Sequence, residues 1–222
     1  MIDGFLPGFD APSGVAVTFD LFGTLVSVDR TTDPTRAIAS ELRARDVSVP
    51  DDWERAFGEA HVDAPEGAEV PLPAHVAAAL RSRGVDVREN AARRAVVAAF
   101  DPDVGTRDGA QAAVGAAAEI GPVGLLSDCS VPELVARTLV RSELDRDAFD
   151  AVVTSVGCGW RKPHPEAFSS VAEALGCEVA DLVHVGDSER ADGGIEACGG
   201  RFLSIEDHPL PELPDLLVRE VP

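Results

Sequence analysis

Asp20 ends a short apolar run, Val15-Ala16-Val17-Thr18-Phe19, and a Gly23-Thr24 turn follows almost at once. A β-rich run of that length, closed by turn residues, predicts a buried strand. A carboxylate at its end can attack an electrophilic phosphorus or carbon and form a covalent intermediate; an aspartate that caps a turn is the plainer alternative. Ser127-Asp128 follows a second such run, Val123–Leu126, and Thr24 and Ser127 carry hydroxyls suited to orienting a nucleophile or binding a phosphoryl oxygen. Either hydroxyl could also cap a turn.

Lys162, in Lys162-Pro163, is the only lysine beside eighteen arginines. A compact ammonium offsets crowded carboxylates better than the wide guanidinium fork, so a lone surviving lysine points to a position where only a point charge fits. Gly186-Asp187-Ser188-Glu189-Arg190-Ala191-Asp192 follows the run Leu182–Val185. Asp187 and Asp192 stand five residues apart across this turn, where two hard carboxylates can face Asp20 and suit Mg²⁺. Asp192 is equally placed to be an acid at a helix N-terminus, favoured by the dipole.

These groups need elements that bring strand ends together. Further strand-like runs occur at Ala151–Thr154 and Arg201–Leu203, and helical patterns at Asp108–Ile120, Val131–Ser142, Pro165–Leu175 and Ala191–Cys198 lie between them. Strand and helix in alternation predict an α/β fold with a doubly wound parallel sheet, whose ligands bind beyond the carboxyl ends of the strands. Residues 31–106 differ: helices are expected at Pro34–Arg45, Asp51–Ala64, Leu72–Arg83 and Arg88–Phe100, with no strand, broken by prolines and glycines. The organisation expected is a core of residues 1–30 and 107–222 with a helical insert at 31–106. The proline-rich ends, Met1–Ser13 and His208–Pro222, are expected to pack loosely.

The motifs Asp20-x-x-Gly23-Thr24-Leu25, Ser127, Lys162-Pro163 and Gly186-Asp187-Ser188 with Asp192 resemble, in order and spacing, the haloacid dehalogenase superfamily. The resemblance runs from about Val15 to Arg201. It implies a Rossmann-like core with a helical cap of the C1 type, Asp20 as nucleophile, and Ser127, Asp128, Gly23 and Lys162 around the transferred group. It also implies Mg²⁺ held by Asp20, the Phe22 carbonyl, Asp187 and Asp192. Phosphatases of the family carry a second aspartate two residues after the nucleophile, which protonates the leaving oxygen; that position is Phe22 here. Family dehalogenases match at Phe22, since halide leaves without a proton, but they lack the Asp187 and Asp192 pair. The expectation is therefore a Mg²⁺-dependent phosphatase of small phosphorylated metabolites, with a dehalogenase-type C–X hydrolase or a non-catalytic scaffold as alternatives. Asp128, Glu189, His164 and His61 are candidate replacements for the missing acid. His75, Arg30 and Arg36 are candidate cap contacts.

Acidic residues number 39 against 19 basic ones, a net charge of −20, which disfavours binding to nucleic acid. Such a balance suits salty cytoplasm, where ions screen self-repulsion. Cys129, Cys158, Cys177 and Cys198 form no CxxC pair and no cluster with histidine, so a reduced, cytoplasmic protein without zinc or disulfides is expected. No apolar run reaches membrane-spanning length and no membrane partner is expected. A monomer or homodimer is the expected assembly.

Overall fold

The computed structural model describes residues 14–29, 33–87 and 90–220. The expectations for Met1–Ser13 and Arg30, and for the start of the helix from Arg88, lie outside these residues. Strands β1 (Ala16–Phe19), β4 (Val123–Ser127), β5 (Ala151–Thr154), β6 (Leu182–Gly186) and β7 (Arg201–Ser204) form one sheet in the order β5-β4-β1-β6-β7. All four pairings are parallel. This is the doubly wound sheet expected from the alternation. β1 lies at the centre, paired along both edges, and all four of its residues are buried.

Side chains alternate across β1. Val17 and Phe19 enter the larger apolar cluster, on the side of helices α5 (Ala110–Ile120) and α9 (Leu213–Glu220), whereas Ala16 enters a second cluster with Phe168, Val171 and Leu175 of α8 (Pro165–Leu175). Thr18 belongs to the second face, and the register sets it beside His184 of β6. The chain runs from β1 through β4 to β5 on one side and resumes with β6 and β7 on the other. The crevice where the winding reverses therefore opens past the ends of β1, β4 and β6.

Between β2 (Val26–Val28) and β3 (Val104–Thr106) lie four helices: α1 (Pro34–Arg43), α2 (Trp53–Gly58), α3 (Leu72–Ser82) and α4 (Ala91–Ala99). β2 and β3 pair antiparallel as a separate two-stranded sheet. Neither was legible in the sequence, because three residues are too few to show a period. Pro34 at the first turn and the Asp33 carboxylate, which accepts from Arg36 N at 2.9 Å, start α1 as the sequence suggests. α2 is shorter than Asp51–Ala64: it ends at Gly58 and Glu59 is extended. α6 (Leu134–Arg141) starts later than Val131, since Pro132 precedes Glu133 in the left-handed region at φ 67°. The segment Ala191–Cys198 is a 3-10 helix, Asp192–Cys198.

The insert is tied to the core at its middle as well as at its ends. Glu69 N donates to Gly159 O at 2.8 Å, Arg161 N to Gly67 O at 2.9 Å and Leu72 N to Ser130 O at 2.9 Å. The C-terminal expectation is corrected. Leu210, Leu213 and Leu217 are fully or nearly fully buried, and α9 packs along α5. The spacing 210, 213, 217 is one apolar helix face, which outweighs the prolines around it. Among the described residues no helix is long and apolar enough to cross a membrane.

Candidate active site

Lys162 organises the end of the sheet. Its Nζ donates to Asp20 Oδ1 at 2.8 Å, to Asp192 Oδ1 at 2.5 Å and to the Leu126 carbonyl at 3.0 Å, which uses all three ammonium protons. The side chain is only 2% exposed. Burial alone would discharge it, but Asp20 and Asp192 outweigh that cost and hold the ammonium above its ordinary value. Gly194 permits this arrangement by lying against Pro163: a Cβ there would come within 2.2 Å of the proline's.

Asp192 is the second anchor. Its Oδ1 also receives His184 Nε2 at 3.1 Å, and its Oδ2 receives Ser188 N at 2.9 Å. Burial would raise its carboxyl, but the His184 hydrogen bond and the Lys162 charge hold it well below the usual carboxylate range. His184, itself fully buried, is kept low by desolvation and hence neutral. Its Nε2–H donates to Asp192, and Nδ1 accepts from the Thr18 hydroxyl at 2.9 Å. The sequence reading missed His184. Its one signal was a polar residue in the middle of the apolar run Leu182-Val183-His184-Val185.

Asp20 behaves differently. Desolvation raises its carboxyl, Lys162 lowers it, and the neighbouring Asp192 and Asp187 raise it again, to about 6. Its Oδ2 accepts from Thr24 Oγ1 at 3.4 Å, and the same hydroxyl lies 3.2 Å from Asp187 Oδ1. Thr24 thus links the two carboxylates. Gly23 makes this approach possible: it sits at φ 99°, and a Cβ would fall 2.3 Å from Asp187 Oδ2. Gly23 was expected to bind substrate phosphate, but its N–H donates to Val26 O at 2.9 Å and its carbonyl accepts from Arg107. Its part is to shape the turn.

Asp20, Phe22, Asp128, Lys162, Asp187 and Asp192 line one cavity of about 420 Å³. Asp128 Oδ1 accepts from Lys162 N at 3.0 Å, and partial burial pushes its carboxyl up. Ser127 Oγ is buried with no hydrogen-bond partner, at the end of β4. An orphaned hydroxyl there suits a ligand oxygen.

Among the described residues no group of three or more His, Cys, Asp or Glu is set to hold a metal ion. Asp192 has both oxygens on protein donors, Asp20 gives one oxygen to Lys162 and a longer contact to Thr24 with the other, and Asp187 stands beside them with the Phe22 carbonyl in the turn after Asp20. Two hard carboxylates joined through Thr24 still fit Mg²⁺, which accepts few protein ligands and keeps waters.

The remaining candidates stand elsewhere. His164 caps α8 through Nδ1 and stacks on Trp160, with ring centroids 4.0 Å apart. His61 and His75 are bound by the carbonyls of Ala56 and Phe57, and Glu189 is exposed. Arg36 lines a separate surface cavity with Asp33 and Asp51. Cys129 is buried with its thiol raised by desolvation, and all four cysteines are free.

The family model described as haloacid dehalogenase-like hydrolase matches residues 15–199. No curated protein is matched by the sequence. Among solved structures, the chain is similar to a 2-haloacid dehalogenase from Pseudomonas syringae pv. tomato DC3000, with TM-score 0.61, 18% identity, and coverage of 92% of this chain and 98% of that one. It is also similar to a HAD family enzyme from Bacteroides thetaiotaomicron in complex with magnesium and inorganic phosphate, with TM-score 0.54, 18% identity and coverage of 86% and 94%. A third is a HAD phosphatase from Thermococcus onnurineus, with TM-score 0.51, 20% identity and coverage of 86% and 85%.

Proposed function

The chain belongs to the haloacid dehalogenase-like hydrolases, and from that membership we propose that it is a Mg²⁺-dependent phosphatase working through Asp20. The observation that carries this reading is the Asp187 carboxylate held beside Asp20 through Thr24. Displacement of halide has no use for a second hard acid at the nucleophile, whereas a phosphoryl group bound there needs its charge neutralised. The Pseudomonas dehalogenase and the Bacteroides enzyme solved with magnesium and phosphate share this fold alike, so the choice rests on Asp187.

In this reading Asp20 Oδ2, the oxygen Lys162 leaves free, attacks phosphorus as the bond to the ester oxygen breaks. Lys162 steadies the attacking carboxylate and offsets the gathered negative charge. Ser127 Oγ donates to a phosphoryl oxygen. Asp128 supplies the proton to the departing ester oxygen, in place of the acid missing at Phe22. Of the four candidate replacements, Asp128 is the one that lines the cavity with Asp20. Water then attacks the aspartyl phosphate, its proton passing to Asp128, and phosphate leaves as Asp20 is restored. Bound Mg²⁺, held by Asp20, Asp187 and the Phe22 carbonyl, would offset the charge of the phosphoryl group. The four helices at 33–99 serve as the cap that keeps bulk water from the aspartyl ester.

Phosphate release from p-nitrophenyl phosphate in high salt, dependent on Mg²⁺ and abolished in a folded Asp20→Asn variant, tests the proposal. Chloride release from 2-chloropropionate without metal would instead establish C–X hydrolysis.

A further inference from the structure

A second cavity, of about 390 Å³, adjoins the acidic one. Phe22 and Asp128 line both. Its other walls are mainly apolar and come from both parts of the molecule: Leu72 of α3 and Phe100 from the insert, Val131 and Leu134 from the core. The charged residues on its walls, among those described, are Asp29 and Asp128, both acids. A group attached to a phosphorus at Asp20 has this chamber on the far side of Phe22.

We propose that this chamber binds the leaving group of the substrate, and that the group is apolar and carries no negative charge: an aryl or alkyl ester rather than a carboxylated or multiply phosphorylated one. The inference rests on the phosphatase reading and narrows its substrate class. Two features of the walls argue for it. Apolar surface shared by Leu72, Phe100, Val131 and Leu134 gains free energy from removing a hydrocarbon from water. An anionic tail would meet the carboxylate of Asp29, and the described walls offer it no cation, so its loss of water would go uncompensated. Phe22 also gains a purpose beyond the loss of an acid, as the apolar partition between phosphoryl site and leaving group.

The test compares phenyl phosphate with 4-carboxyphenyl phosphate in the Mg²⁺-loaded enzyme at high salt. The two esters have the same shape near phosphorus, and the carboxylated phenolate is the intrinsically better leaving group. The expected result is a kcat/KM for phenyl phosphate higher by about tenfold or more. In Asp29→Lys, an exposed position, the ratio is expected to shift toward the carboxylated ester. Binding of the neutral dye N-phenyl-1-naphthylamine at one site per chain, displaced by phenol, reads the chamber without turnover. Equal or faster hydrolysis of the carboxylated ester overturns the chamber assignment and leaves the phosphatase reading standing. Hydrolysis of neither ester, nor of p-nitrophenyl phosphate, with the dye bound and displaced as expected, upholds the chamber and defeats the phosphatase reading.

Discussion

At the scale of single residues, Lys162 and Asp192 form a buried pair in contact with Asp20, and removing one partner strands the other. Asp192→Asn is expected to destabilise the protein by about 3–5 kcal/mol, as for other broken buried pairs, and to lower turnover because Lys162 loses its second anchor. Urea unfolding beside phosphate release checks both; unchanged stability would contradict the pairing. Asp128 makes a different demand. If it protonates the leaving oxygen, Asp128→Asn should slow hydrolysis of phenyl phosphate by roughly 10²–10⁴ while changing p-nitrophenyl phosphate far less, because nitrophenolate leaves without help. An equal loss on both esters would assign Asp128 to binding.

At the scale of elements, each site residue follows a strand of the central sheet or a turn tied to one. Asp20 follows β1, Asp128 follows β4, and Asp187 follows β6, so register fixes their spacing before any side chain chooses a rotamer. The neutral His184 and Thr18 pair sits at matched positions of β6 and β1, and it locks the strand that carries Asp20 to the loop that carries Asp192. α9 supports the other face. Leu217 has no exposed surface, so Leu217→Ala is expected to cost about 2–5 kcal/mol through lost burial and a residual cavity. Thermal or urea denaturation measures it, and a loss of a few tenths would return α9 to the loose tail expected from its prolines.

For the whole molecule, a net charge of −20 makes self-repulsion a general opponent of the folded state. Ion pairs on the insert, such as Arg83 with Asp52 and Glu59, answer it locally. Salt should answer it globally. Raising KCl from about 0.05 M to about 2 M is expected to raise Tm steadily, most of the gain coming once the Debye length falls below the spacing of surface charges. A flat or falling Tm would remove the case for a salty working environment. The same field disfavours anionic substrates at low salt, which is why the ester comparison belongs at high salt.

Much of this was legible in the chain itself. Five short runs became the five strands of the main sheet with ends displaced by at most one residue, most clearly in the central strands β1, β4 and β6, which are buried throughout and read as largely apolar runs. The identity of the acids and the single lysine was equally plain, since chemistry constrains residue type locally. Tertiary structure alone decided which acids share a proton donor. That Asp192 meets Lys162 and His184 depends on β6 lying beside β1, a contact between residues 166 positions apart in the case of Thr18 and His184. The apolar chamber was hidden for the same reason: Phe22, Leu72, Phe100 and Leu134 are unremarkable singly, and only packing of the insert on the core brings them around one space.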